Sequence, residues 1–155
     1  MQSDSLRSGF WLNLLDPLDL ERVQLARFGH LATVGVGGFP TVVPICFAML
    51  EATDPIIVSV LDEKVKRVSD AEIGRVRNIR QHAEVGLTID HFEEDWSRLW
   101  YIQFRGVADI ESPESTMHTQ AISALRTKYG QYVGMDLEDR LLIVIRQLRV
   151  KVWHA

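Results

Sequence analysis

The sequence predicts an α+β fold, mainly β, in which six strands, mostly antiparallel, roll into a closed or nearly closed barrel with flanking helices. Short apolar runs rich in β-branched residues recur between turn signals. The helical stretches stand at the start, in the middle and after the fifth strand, without the βαβ alternation of a doubly wound dinucleotide fold. The last two strand runs are long, and the final one alternates from Arg146 onward, as strands with one wet face do.

The elements follow in chain order. Asp16-Pro17 reads as an N-cap followed by proline at the first helical position, and Leu18, Leu20, Val23, Leu25, Ala26 and Phe28 give a helical stripe. The first helix is therefore expected over 17–28, with Gly29 as its stop. HLATVGV from His30 is a first strand, and Gly37-Gly38 after it is a hairpin signal. PTVVPICFAML is a second strand, in which Pro44 marks an edge, a bulge or a break. Thr53-Asp54-Pro55 is a turn, and Ile56–Leu61 is a third strand, apolar without interruption and so buried on both faces. These three strands are expected in meander order. A helix over 71–82, capped by Ser69-Asp70, precedes a fourth strand, Glu84–Asp90. Leu99–Glu111 is the fifth strand, with Trp100, Ile102, Phe104 and Gly106 on one face. Ser112-Pro113-Glu114 starts a helix to about Tyr129, and residues 141–154 form the last strand.

Bulk composition narrows the function. A chain of 155 residues is the size of one domain, and such a chain buries about 70% of its unfolded surface without staples. No apolar run approaches the roughly 20 residues of a membrane span, and the start of the chain lacks a signal-peptide pattern. Cys46 is the one cysteine, which excludes an intrachain disulfide and, with the absent leader, points to the cytoplasm. A net charge of -4 argues against nucleic-acid binding, which needs a broad basic face.

Within this acidic chain, Lys64–Arg80 is a basic island. Lys64, Lys66, Arg67, Arg75, Arg77 and Arg80 stand there against Asp70 and Glu72. Ammonium and guanidinium groups, with Asn78 and a nearby helix N-terminus, suit a phosphate; the plainer alternative is a solvated helix face. Asp90, His91, Glu93, Glu94 and Asp95 lack the spacing of a metal set and read as an acidic loop. No GxSxG nucleophile elbow occurs, and Cys46 in an apolar strand reads as a buried thiol. Trp96, Trp100, Tyr101, Phe104 and Trp153 suit core packing or an interface, with Trp100, after the polar DWSR loop, the best candidate to stack on a planar cofactor.

The order of HLATVGVGGFPTVVPICFAM, PIIVSVLDEK, GRVRNIRQHAEVGLTID and WYIQFRGVADIE resembles the FMN-binding split β-barrel of the pyridoxamine 5'-phosphate oxidase-like proteins. DEKVKR and DHFEEDWSRLWYIQFRG resemble the branch of that family that uses the deazaflavin coenzyme F420. The resemblance implies a cofactor phosphate held by Arg75, Arg77 and Asn78, with Lys64, Lys66 and Arg67 as further basic candidates. It implies a ring lying between the second strand at Val43, Pro44 and Ile45 and the third strand at Ser59, Val60 and Leu61, with Trp100 as a stacking side chain. It also implies a homodimer with the cofactor at the interface and an oxidoreductase that moves a hydride to or from a small organic substrate. Coenzyme F420 is the first expectation and FMN the alternative. A non-catalytic flavin-, haem- or tetrapyrrole-binding protein of the same fold is the reading from another class. His82-Ala83 departs from the family's Asn-Pro at this turn, and the oxidase's own C-terminal substrate motif is not found, which sets that enzyme aside.

Overall fold

The computed structural model describes residues 9–52, 54–62 and 73–155. Among the described residues four α-helices, α1 (Gly9–Leu12), α2 (Pro17–Leu25), α3 (Gly74–Gln81) and α4 (His118–Lys128), accompany seven strands. The strands are β1 (Gly29–Val34), β2 (Pro40–Ile45), β3 (Ala48–Glu51), β4 (Pro55–Val60), β5 (Glu84–His91), β6 (Trp100–Glu111) and β7 (Leu142–His154). They form one sheet in the order β2-β1-β5-β6-β7-β4-β3, and every pairing is antiparallel.

Seven strands replace the expected six because the run PTVVPICFAML is not one strand. It breaks at Cys46-Phe47, two residues after Pro44, and its halves lie on opposite edges of the sheet. The first three expected strands therefore do not form a meander: β1 and β2 pair at one edge, β3 and β4 at the other. Ile45 and Ala48 are three residues apart, so their Cα atoms lie within about 11 Å. That short link draws the two edges of the sheet together at one corner without pairing them. The barrel is rolled and split rather than closed.

Rolling gives the sheet two cores. Trp11, Leu20, Val23, Leu31, Phe47, Ile57, Leu87, Ile102, Phe104 and Ile145 fill the barrel. Val58, Val60, Leu142 and Val144 face outward instead and pack under Ala121, Ile122, Leu125, Tyr129 and Tyr132 of α4 and the turn after it. This is why β4 is apolar without alternation: Ile57 and Leu61 serve the barrel, whereas Ile56, Val58 and Val60 serve the α4 layer.

Several boundaries shift. Asp16 caps α2 as expected, its Oδ1 accepting from Asp19 N–H at 2.8 Å, but the helix ends at Leu25 and Gly29 already belongs to β1. The Gly37-Gly38 turn forms with both glycines at positive φ (79° and 83°), joining β1 to β2. The described part of the island helix starts at Gly74, and the Ser69-Asp70 cap lies outside the described residues. The helix expected from Ser112 starts six residues later, at His118, because Ser112–Met117 turn first: Ser115 N–H bonds back to Ser112 O, and Ser115 Oγ bonds Glu111. Helices cap the two ends of the barrel. α2 meets the end where Trp100 pairs with His154, through Asp19 to His154 and Arg22 over Trp100. α3 meets the other end and leads through His82-Ala83 into Glu84 of β5.

Candidate functional site

The split has two flanks, and both are backbone edges. β3 pairs with β4 only as far as Ala48 opposite Val58, so Ser59 and Val60 run on past the end of β3 while β7 continues to pair with them on their other side. Across the gap, among the described residues β2 pairs only with β1 and presents its other edge at Val43-Pro44-Ile45. Cys46-Phe47 closes the apex, where Ser59 Oγ donates to Cys46 O at 2.7 Å. The side chains of Ile45 and Leu61 are buried in the barrel and that of Val60 in the α4 layer. Val43 is half-buried and Pro44 exposed. These segments therefore offer the split their main chain rather than their side chains, which suits a flat ring held by backbone groups.

α3 supplies the charge. Ile73, with β-like φ and ψ, precedes it and gives no side-chain cap, and the positive end of the helix dipole lies at this basic turn. Arg75 is half-buried and Arg77 exposed in the first turn. Asn78 faces the sheet: its Nδ2 donates to the buried Thr33 Oγ1 at 3.0 Å. Its Oδ1 packs so close to Gly35 that a Cβ there would sit at 3.2 Å. Of the three, Asn78 is the one placed against the Thr33 end of the β1–β2 hairpin; Arg75 and Arg77, two positions apart on the helix, point to different sides of it. Lys64, Lys66 and Arg67 lie outside the described residues.

Trp100 is not with them. It pairs with His91 at the far end of β5, seven strand steps or about 23 Å from Glu84 and the α3 end. There it is half-buried, stacked on the His91 ring (6.0 Å, 16°) with the Arg22 guanidinium 5.2 Å over its face. Within one chain Trp100 thus stands at the opposite end of β5 from the strand's junction with α3. Tyr101 and Trp153 stack on each other at 5.7 Å, and Phe104 is core against Trp11. His91 bonds Glu93, and among the described residues no group of three or more His, Cys, Asp or Glu is placed to share a metal ion.

Beside the apex lies a cavity of about 610 Å³, lined by Arg27, Cys46, Asp62, Tyr129, Tyr132 and Met135, with Gly130 and Gln131. Cys46, expected to be buried, is half-buried and borders it. Tyr129 builds the wall. Its hydroxyl accepts from Phe47 N–H at 3.1 Å and lies within donating distance of the carbonyls of Phe47 (3.1 Å) and Arg27 (3.0 Å). Burial pushes this phenol up to about 12. Tyr132 donates to Asp62 Oδ2; burial, then this bond, raises its pKa. Behind the wall Lys128 stands 3.7 Å over the Phe47 ring, its Nζ buried and without a hydrogen bond. Burial first, then the nearby Arg27 charge, pulls it down to about 8.

Sequence reasoning missed Arg27, Asp62, Tyr129 and Tyr132. The available signal was the Tyr129–Tyr132 pair directly after a helix that ends in Lys128. What places it against Cys46 is the packing of α4 on β3 and β4, a contact between elements about 70 residues apart.

No protein-family model matches the sequence, and no curated protein sequence matches it. Solved structures do match. A conserved hypothetical protein of Mycobacterium tuberculosis superposes with a TM-score of 0.68 at 20% identity, over 90% of this chain and 85% of that one. HutZ, the haem storage protein of Vibrio cholerae, gives 0.61 at 17% identity over 90% and 94%. An F420 reductase gives 0.53 at 24% identity over 84% and 94%. At these identities the likeness is one of fold, and the chain has the split-barrel fold found in both a haem storage protein and an F420 reductase.

Proposed function

We propose that this protein is a flavin- or deazaflavin-dependent oxidoreductase that transfers a hydride to or from a small organic substrate, with coenzyme F420 as its cofactor and FMN as the alternative. One observation carries the reading. The free edge of β2 at Val43–Ile45 and the overrun of β4 at Ser59–Leu61 border a single split, and the first turn of α3 carries Arg75 and Arg77. Two main-chain edges that face each other across the split, with a cationic helix start in the same chain, suit a tricyclic ring with a phosphate-bearing arm. The adjoining cavity of about 610 Å³ falls within the roughly 300–1,000 Å³ of small-molecule sites.

In this reading the bound cofactor supplies the hydride chemistry. Arg75 and Arg77 hold the phosphate, and Asn78, fixed by Thr33, sets the position of that helix against the sheet. Main-chain N–H groups along the split orient the ring and stabilise charge on its reduced form. Ser59 and Tyr129 keep the apex rigid through their bonds to Cys46 and Phe47. The same reading makes the protein a cytoplasmic homodimer. The exposed apolar row Val36, Phe39 and Val42 (76%, 77% and 61% exposed) on the β1–β2 hairpin is the surface a second copy covers.

Haem is the second reading, supported by the likeness to HutZ. The cavity lining offers it Cys46 as a soft donor and contains no histidine. The absorption spectrum and separate fluorescence titrations with F420 and FMN rank the readings. A Soret band after reconstitution, or binding of neither F420 nor FMN, overturns the oxidoreductase reading. Arg77 is exposed, so Arg77→Ala leaves the fold intact and is expected to weaken cofactor binding by about 1.5–3 kcal/mol, the range for bonds to charged groups.

A further inference from the structure

We propose that the cavity beside the apex is a subsite for an aromatic carboxylate, with Arg27 as the residue that binds its carboxyl group. The assignment of this carboxylate as substrate rests on the oxidoreductase reading; its binding does not.

The lining is divided by chemistry. Tyr129, Tyr132 and Met135 give one side an aromatic and thioether surface that suits a flat apolar ring. Among the described residues Arg27 is the only basic side chain of the lining. It is held in place twice over: its Nη2 donates to Lys128 O at 3.1 Å, and its guanidinium lies 4.7 Å over the Tyr129 ring. Of the five N–H donors of a guanidinium, this geometry uses one and leaves a fork for a planar bidentate acceptor. Among the described residues no carboxylate pairs with Arg27. Among the described residues the one acid in the lining, Asp62, is engaged by the Tyr132 hydroxyl. Lys128, whose ammonium has no acidic partner either, adds positive potential behind the wall. An electropositive cavity with an aromatic side selects an anion attached to a ring.

The test uses the full chain without cofactor, labelled for NMR, and two probes of one shape: benzoate and its neutral amide, benzamide. Benzoate is expected to shift the amides of Phe47 and Tyr129–Tyr132 saturably, and benzamide to bind at least about tenfold more weakly. Arg27→Gln is expected to lose benzoate affinity by about tenfold or more while keeping its F420 or FMN affinity. Arg27→Lys, which retains the charge, keeps the preference for benzoate over benzamide. The proposal is overturned by equal binding of the two probes, by unchanged benzoate affinity in Arg27→Gln, by loss of the preference in Arg27→Lys, or by no saturable shift. Loss of cofactor affinity in Arg27→Gln also overturns it, because Arg27 then belongs to the cofactor. Protein that passes the benzoate tests but binds neither F420 nor FMN sinks the cofactor reading alone.

Discussion

At the scale of single residues, the apex is decided by groups that do more than fill space. The Tyr129 hydroxyl serves the main chain of Phe47 at the point where the chain crosses from one sheet edge to the other. Tyr129→Phe leaves a buried N–H without its acceptor and is expected to cost about 1–3 kcal/mol of stability, read from urea unfolding. Lys128 gives a pH signature. Its folded pKa of about 8 lies below the ordinary 10.5, so between these values the unfolded chain binds more protons than the folded one. Stability from this group therefore rises with pH through about 8 to 10.5, and below that window the full burial penalty is present. Lys128→Met removes the group, so its stability advantage over the wild type is expected to shrink across that window. Parallel melting curves check this, and a constant difference would exclude the buried charge. None of these roles was legible in the residues alone, because Lys128 and Tyr129 look like an ordinary basic helix end until α4 is packed on β3.

At the scale of elements, the local signals that proved legible were those with a local cause. The Asp16-Pro17 cap and the Gly37-Gly38 turn depend on a few adjacent residues, and both form where the sequence places them. Boundaries set by distant partners moved: β2 ends at Ile45 because its continuation finds β4, not β1, to pair with. The long β6–β7 ribbon carries a bulge at Gly106, where the register slips between Arg105 and Val107 and Gln147 takes a positive φ of 55°. A Cβ at Gly106 would meet Arg146 O at 2.6 Å and Ile145 Cγ2 at 2.7 Å. Gly106→Ala is accordingly expected to destabilise by about 1–3 kcal/mol, the range for overpacking. A thermal midpoint equal to that of the wild type would mean the ribbon shifts freely to admit the methyl group.

At the scale of the whole molecule, Trp100 bears on how many chains make a site. It lies about 23 Å along β5 from the α3 end, and in the homodimer reading it serves a cofactor held at α3 from the second copy. The proposed homodimer makes this testable. Phe39→Glu together with Val42→Glu places two charges in the exposed apolar row and is expected to convert a dimer to a monomer in sedimentation. A wild type that sediments as a monomer, or a double variant that remains dimeric, would remove that row as the interface.

The sequence by itself determined the α+β class, the place of most strands and helices along the chain, and the basic character of α3. These follow from side-chain period, turn chemistry and charge, which are local properties of the chain. Only the tertiary structure decided that the second strand divides, that its halves lie at opposite edges of a rolled sheet, and that Arg27, Cys46, Asp62, Tyr129 and Tyr132 surround one cavity. The physical reason is hydrogen-bond competition between strands far apart in sequence: β4 captures Ala48–Glu51 while β1 keeps Pro40–Ile45, and the split opens between them.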